Sequence, residues 1–364
     1  MKTLDLRKLI CIDKTGMSNE DWLKHRFMGI GGSEMATLLN LNPYQSAVEL
    51  FYRKVEFSSE QKENERMFWG KVHEDTIANI WQYHDPNQTD ISVTMENYNA
   101  DNKIRYCKEL NYIISNPKFP HLFANVDRIF DYQTDEFCEG VLEVKTVSDF
   151  AINIWEAGIP PYFLIQGQTY LAVSELEYGE FAILKNGRNF EVIPFQRNEK
   201  IIENIITRSK EFWDRVLEAR NLHSQDASFS HLEPEPDNSM AYEKFMKARF
   251  TDKQNTVIGT DEIRNTAIQE VICTKDIKEL EIQKQLHKNK IIKFLSDNNA
   301  EKIDFGEYGY ISYFENAKKT RVFNNKIKNI HGEVLTENIN PLADKLLSAC
   351  ESKIIQSESY DADY

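Results

Sequence analysis

In the stretch GVLEVKTV (140–147), Val141, Leu142, Val144 and Val147 call for burial, whereas Glu143 and Lys145 do not. A strand alternates its side chains, so Glu143 and Lys145 share one face, flanked there by Val141 and Val147. Asp127 lies one strand-like segment earlier, in HLFANVDRIFDY (121–132), among alternating apolar neighbours. If the two segments pair, an Asp, a Glu and a Lys meet at one end of a sheet. A buried carboxylate is costly and two side by side are worse, unless a cation joins them. Carboxylate oxygens suit a hard divalent ion, Mg²⁺ with Mn²⁺ as substitute, and the main-chain carbonyl of Val144 is a further candidate ligand.

Glu74 adds a carboxylate from another element. Within ENERMFWGKVHEDTIANIWQYH (63–84), its helical neighbours are Gly70, Ile77, Ala78 and Trp81, so Glu74 is the polar exception on an apolar stripe. Gly70 costs that helix roughly 1 kcal/mol relative to Ala and leaves space one turn before the carboxylate. An approaching metal or substrate phosphate explains both choices. The chemistry that fits is phosphodiester hydrolysis. In that chemistry Asp127 and Glu143 would hold an ion that activates water, and Lys145 would orient or deprotonate that water or neutralise transition-state charge. Glu74 would hold a second ion near the leaving oxygen.

The elements that must position these groups follow from periodicity and caps. Ser18 caps a helix through Phe27, GIGGSE (29–34) breaks it, and Ser33 is expected to cap the next short helix. NPYQS (42–46) is a turn orienting two helices, with Ser46 capping AVELFYRKV. Residues 121–132 and 140–147 read as an antiparallel hairpin. Pro160-Pro161 opens a helix, YFLIQGQTYLAV. Two strands then flank Asn186-Gly187, a hairpin-turn signal, and a helix from about Glu199 to Arg220 closes the unit. Residues 221–240 are polar with Pro and Ser and read as a linker. Beyond it come a long helix (about 262–297), a small hairpin in KIDFGEYGYISYF, a basic segment AKKTR (317–321), a terminal helix and an acidic tail. The expected organisation is a core over 1–220, a linker over 221–240 and a mainly helical extension over 241–364. The class is α/β (α+β), a mixed and mostly antiparallel sheet flanked by helices.

Composition narrows the class. With 364 residues and 41% hydrophobic content, the chain can bury one large or two medium cores. A net charge of −14 argues against a general nucleic-acid coat but leaves room for an enzyme with a basic groove and a carboxylate centre. No run approaches a membrane span and no secretion signal is seen, so a cytoplasmic location is expected. Five scattered cysteines without a CxxC pair point to a reduced compartment and no zinc or iron–sulfur site. His73 is taken as structural, and Trp69, Trp81 and Trp155 as core residues.

The order of Asp127, Glu143 and Lys145 across a hairpin resembles the PD-(D/E)XK nuclease superfamily, with Val126 where its name-giving proline stands. RFMGIGGSEMATLLNLNPYQSAVELFYRKV (26–55), Trp69-Gly70 with Glu74, and Gln166-Gly167-Gln168 narrow the match. Together they resemble the lambda exonuclease-like phage recombination exonucleases, or viral recombinases, over roughly residues 20–215. The resemblance implies a restriction-endonuclease-like core, with Glu74, Asp127 and Glu143 as metal ligands, Lys145 serving the nucleophilic water and Gln166 supporting the site. It also implies that Arg26 and Ser33 contact the 5′-phosphate of a DNA end, a role suited to a Gly-rich turn at a helix start. The implied activity is a Mg²⁺-dependent 5′→3′ exonuclease on linear double-stranded DNA, leaving 3′ overhangs for a single-strand annealing protein and working as a homo-oligomeric ring, often a trimer. Two alternatives stay open: a restriction or junction-resolving endonuclease on the same core, and a non-catalytic DNA-end-binding scaffold.

Overall fold

The computed structural model describes residues 3–58, 65–85, 90–131, 140–148, 151–156, 158–249, 256–306, 309–315, 321–328 and 334–335. These fall into two compact units, one within Met1–Thr251 and the other within Asp252–Pro341. In chain order the first unit contains β1 (Ile10–Asp13), α1 (Asn19–Phe27), β2 (Ile30–Gly31), α2 (Gly32–Leu38), α3 (Ala47–Glu56), α4 (Glu65–Trp81), α5 (Ile91–Asn99), β3 (Tyr106–Lys108), β4 (Tyr112–Asn116) and β5 (Phe119–Ala124). It continues with β6 (Arg128–Asp131), β7 (Gly140–Val147), α6 (Ile152–Glu156), α7 (Pro161–Ser174), β8 (Tyr178–Lys185), β9 (Asn189–Gln196), α8 (Glu199–His223) and α9 (Met240–Arg249).

Local chemistry accounts for most boundaries. Ser18 and Ser46 accept from the backbone N–H of Asp21 and Glu49 and so cap α1 and α3. Pro161 stands at the first position of α7, where a missing N–H costs nothing. Asn186 and Gly187 both take positive φ, as the tight turn between β8 and β9 requires. Ser33 differs from expectation. Gly31 is the N-cap of α2 and Ser33 lies inside the first turn, because the Glu34 carboxylate reaches back to the Gly31 N–H and starts the helix earlier.

A five-stranded sheet has the order β3-β6-β7-β8-β9. Its pairs are antiparallel except β7 with β8, which run parallel and are joined through α7. A four-stranded sheet, β1-β4-β5-β2, lies beside it. Alternation along β7 serves two cores. Leu142 and Val144 pack with Ile77, Ala78 and Trp81 of α4, whereas Val141 and Val147 join the larger core with Ile165, Leu171 and Phe181. The class is α+β, a mixed sheet with helices on its faces, as expected. Strands β1 to β4 and helix α5 were not legible in the sequence, being short or polar.

The stretch 221–240 is not a free linker. Residues 221–223 complete α8, Phe229 lies against the rings of Phe51 and Tyr52, Leu232 packs on the same core, and the Tyr52 hydroxyl donates to Glu233. Two apolar residues spaced along a polar stretch suffice to dock it. The break between units comes after α9 instead. In the second unit, α10 (Asp261–Asp297) precedes a four-stranded antiparallel sheet, β10 (Lys302–Asp304), β11 (Gly309–Glu315), β12 (Arg321–Lys328) and β13 (Val334–Leu335). The expected hairpin is its first two strands. Arg321, the end of the basic segment, opens β12; residues 317–320, the expected terminal helix and the acidic tail lie outside the described residues.

One buried ionic knot fixes the C-terminal end of α4. The Trp81 indole donates to Glu180 Oε2 at 2.7 Å and Arg105 Nη1 donates to the same oxygen at 2.9 Å. Arg105 also donates to the Trp81 carbonyl and lies 3.7 Å from its ring centroid. Breaking a buried pair strands the remaining charge, so Glu180→Ala is expected to cost about 3–5 kcal/mol in urea unfolding.

Candidate active site

The hydrogen-bond ladder between β6 and β7 ends at the pair Arg128–Leu142, while β7 continues against β8 through Val147. Past that point the strands part. Asp127 sits in the bend before β6 and Glu143 on β7, one residue beyond the last pair. The Val144 N–H, no longer taken by the ladder, donates to Asp127 Oδ2 at 2.9 Å. The two carboxyls are close enough to perturb each other directly.

Glu143 is 1% exposed. Its Oε1 accepts from Lys145 Nζ and from Gln166 Nε2, each at 2.5 Å, while Oε2 is buried with no hydrogen-bond partner among the described residues. Gln166 also donates to the Tyr170 hydroxyl at 2.8 Å, so α7 supplies a connected support. Tyr170 in turn lies against Gly32; a Cβ there would stand 2.5 Å from its ring, which is why only glycine fits where α2 meets α7.

Electrostatics follows from this crowding. Burial and the neighbouring Glu143 push the Asp127 carboxyl up to about 7, against the pull of Lys145, the Val144 N–H and Arg128. Burial also raises Glu143, with Lys145 offsetting part of it. Burial draws the Lys145 ammonium down, but Glu143 and Asp127 outweigh it and the net direction is up. Burial and the field of Asp127 raise Glu74 despite Arg128.

Glu74 holds its predicted place on the stripe of Ile77, Ala78 and Trp81, all buried. Its carboxylate accepts from Arg128 Nη1 at 2.7 Å, and the same guanidinium reaches the Asp127 carbonyl and Asp75. For this reason no group of three His, Cys, Asp or Glu side chains among the described residues forms a ready-made metal cage. A Cβ on Gly70 would meet only Thr146 Oγ1, at 4.0 Å, so packing within the chain does not demand glycine there.

Arg26 is committed to Glu34, donating to Oε1 at 2.8 Å, while Lys54 donates to Oε2 at 2.8 Å. Burial pushes the Glu34 carboxyl up, but Lys54 and Arg26 together hold it at about 2. The charge of Arg26 is felt at Tyr170, so Arg26 borders the site on the α7 side. Ser33 is exposed on the first turn of α2 and no hydrogen bond joins it to the carboxylates. Trp81 and Trp155 are core residues as expected, but Trp69 is 47% exposed and stacks on His73. Sequence reasoning missed Arg128, Tyr170, Glu34 and Lys54. Of these, Arg128 adjoins Asp127 and Tyr170 lies one helical turn beyond Gln166, which are the signals that would have found them.

This arrangement defines the class of the site: clustered carboxylates with an attendant lysine at the parting of two central strands. Residues 21–177 match the YqaJ-like viral recombinase domain, and every expected site residue falls within that stretch. That part of the first unit is thus similar to a viral recombinase domain, in line with the sequence resemblance. The chain is 28% identical over 315 residues to the uncharacterized protein YqaJ of Bacillus subtilis (strain 168), covering 85% of each. Among solved structures it is similar to an alkaline exonuclease from Laribacter hongkongensis (17% identity, 57% of this chain and 98% of that one, TM-score 0.43). It is also similar to a phage-related exonuclease from Haemophilus somnus 129PT (8% identity, 57% and 100%, TM-score 0.35). No helix among the described residues is long and apolar enough to cross a membrane.

The folded chain keeps the Asp127 proton to about 7, whereas the unfolded chain loses it near 3.8. The folded state then binds more protons in that window, so stability falls as pH rises through it. Melting in EDTA is expected to show the Asp127→Asn variant gaining on the wild type from pH 4 to pH 8.

Proposed function

We propose that this protein is a metal-dependent deoxyribonuclease, a 5′→3′ exonuclease on linear double-stranded DNA that leaves 3′ overhangs for strand-annealing recombination. The observation that carries the reading is the close Asp127–Glu143 pair, Asp127 half-buried and Glu143 fully buried, with an unpartnered Glu143 oxygen beside Lys145. Such a pair fits a hard divalent cation, because only a cation relieves two adjacent desolvated carboxylates. Asp127, Glu143 and the Val144 carbonyl would hold Mg²⁺, with Mn²⁺ able to substitute; that carbonyl leaves the strand on the same edge as the Val144 N–H. The remaining ligands would be water, as Mg²⁺ prefers. Glu74 would join, or hold a second ion, on release from Arg128. The bound ion supplies Lewis-acid polarisation of the phosphate and acidifies the attacking water.

The chain's own residues do the rest. Lys145, held as an ammonium by its neighbours, places positive charge where the phosphate gains negative charge. Gln166 and Tyr170 keep Glu143 oriented. Arg26, partly exposed and bonded to Glu34 through Nη2, would offer its remaining donors to a 5′-terminal phosphate together with the exposed Ser33 and the main chain of the first turn of α2. A single-strand annealing protein and a ring of like subunits are the partners that the recombinase reading brings with it.

Linear 5′-phosphorylated duplex is expected to be degraded from its 5′ ends with Mg²⁺ and spared with EDTA. Glu143→Ala is expected to reduce the rate at least about 10³-fold, as when a group stabilising the transition state is lost. Closed circular plasmid is expected to stay intact; cutting of the circle would favour the endonuclease reading, and tight end binding without cleavage the scaffold. If Gly70 leaves room for substrate, Gly70→Ala should raise the melting temperature, by removing about 1 kcal/mol of helix cost, yet slow degradation.

A further inference from the structure

Lys14 follows β1 and is half-buried. Its backbone is fixed on both sides, the N–H donating to the Asn111 carbonyl at 2.8 Å and the carbonyl accepting from Met17 at 3.0 Å. Its ammonium donates to Asn125 Oδ1 at 2.9 Å. Asn125 precedes Asp127 by two residues, in the connection between β5 and β6 where Val126 is buried and Asn125 and Asp127 are half-buried. Lys14 is thus anchored two residues from Asp127. Glu109, Asp127 and Glu74 are the carboxylates whose fields it feels, and Arg128 is the opposing cation. None of these carboxylates forms an ion pair with it among the described residues, and its one hydrogen bond goes to a neutral amide.

A half-buried ammonium with three donors and a single neutral partner lacks its counter-charge. An intramolecular carboxylate would have been the simplest remedy. Instead the chain leaves the charge facing the place where phosphodiester cleavage is proposed. When a divalent cation occupies the carboxylates, Lys14 needs an anion more, and the anion that arrives with the substrate is phosphate. Lysine serves phosphate as a compact point charge without bidentate geometry.

We propose that Lys14, held in place by Asn125, donates to a non-bridging phosphate oxygen of the DNA strand lying across the Asp127–Glu143 pair, and so positions the backbone for cleavage. The contact rests on the nuclease reading above. It assigns to the N-terminal strand a part in substrate binding.

The test uses the full chain and 5′-phosphorylated linear duplex with Mg²⁺ between 50 and 200 mM salt. Lys14→Gln retains an amide able to bond Asn125 but removes the charge; Lys14→Arg retains the charge. Loss of one charge-assisted phosphate contact is expected to raise KM about tenfold in Lys14→Gln, with the smaller change in kcat. The slope of log(1/KM) against log salt should become shallower by about 0.9, the value for one phosphate. Lys14→Arg should recover most of both. Wild-type KM and slope in Lys14→Gln would overturn the contact, as would a lowered melting temperature with an unchanged slope, which makes Lys14 a peg for β1 alone. A wild-type protein inert on linear duplex would instead overturn the nuclease reading itself.

Discussion

Two strands of the central sheet stop pairing at Arg128 and Leu142, and the backbone groups released there meet two carboxylates that the fold has desolvated together. Everything else at the site answers that crowding. Lys145 and Gln166 saturate one oxygen of Glu143 and leave the other facing inward without a partner. Burial first, and the charge of Glu143 second, push the Asp127 carboxyl up to about 7, above the ordinary carboxylate range. Under the proposed function, a cation and a phosphate would relieve this local cost.

Rigid elements deliver the groups. Helix α4 lies on one face of the sheet through Ile77, Ala78 and Trp81, and its C-terminal end is tied by the Arg105–Glu180 pair. This places Glu74 beside Arg128. Helix α7 lies on the other face and carries Gln166 and Tyr170 to Glu143, while the Gly32–Tyr170 contact brings α2 and the Arg26–Glu34–Lys54 group against the same helix. A one-turn shift of either helix would uncouple support from carboxylate. Buried ion pairs are therefore concentrated where position matters, although such pairs contribute little net stability elsewhere.

Several of these features were legible from residue types and spacing. The alternation in GVLEVKTV identified the strand, its two faces and the shared side of Glu143 and Lys145. The apolar stripe around Glu74 identified α4 and the odd carboxylate. Serine caps and Asn186-Gly187 marked helix starts and a turn, because their chemistry is satisfied by neighbours in sequence. The misplaced features depend on distant partners. Ser33 lost the cap because Glu34 reaches Gly31 and is itself held by Lys54 and Arg26. Residues 221–240 looked like a linker because two apolar side chains in twenty residues do not announce a docking surface contributed by Phe51 and Tyr52. Trp69 looked like a core residue, yet the helix turns its stripe away and leaves it exposed.

The sequence by itself determined which residues carry charge into apolar surroundings, the order of the main elements and the class of chemistry that Asp127, Glu143 and Lys145 permit. Those properties are local: they follow from periodicity, caps and the preference of a carboxylate for water or a cation. Only the tertiary structure decided that β6 and β7 part at Asp127, that Arg128 takes Glu74 as a partner, and that Lys14, just past β1, donates to Asn125 two residues before Asp127. Those properties arise from contacts between segments far apart in the chain. Side-chain pairing across such distances is set by packing and leaves no periodic mark on the residues that take part.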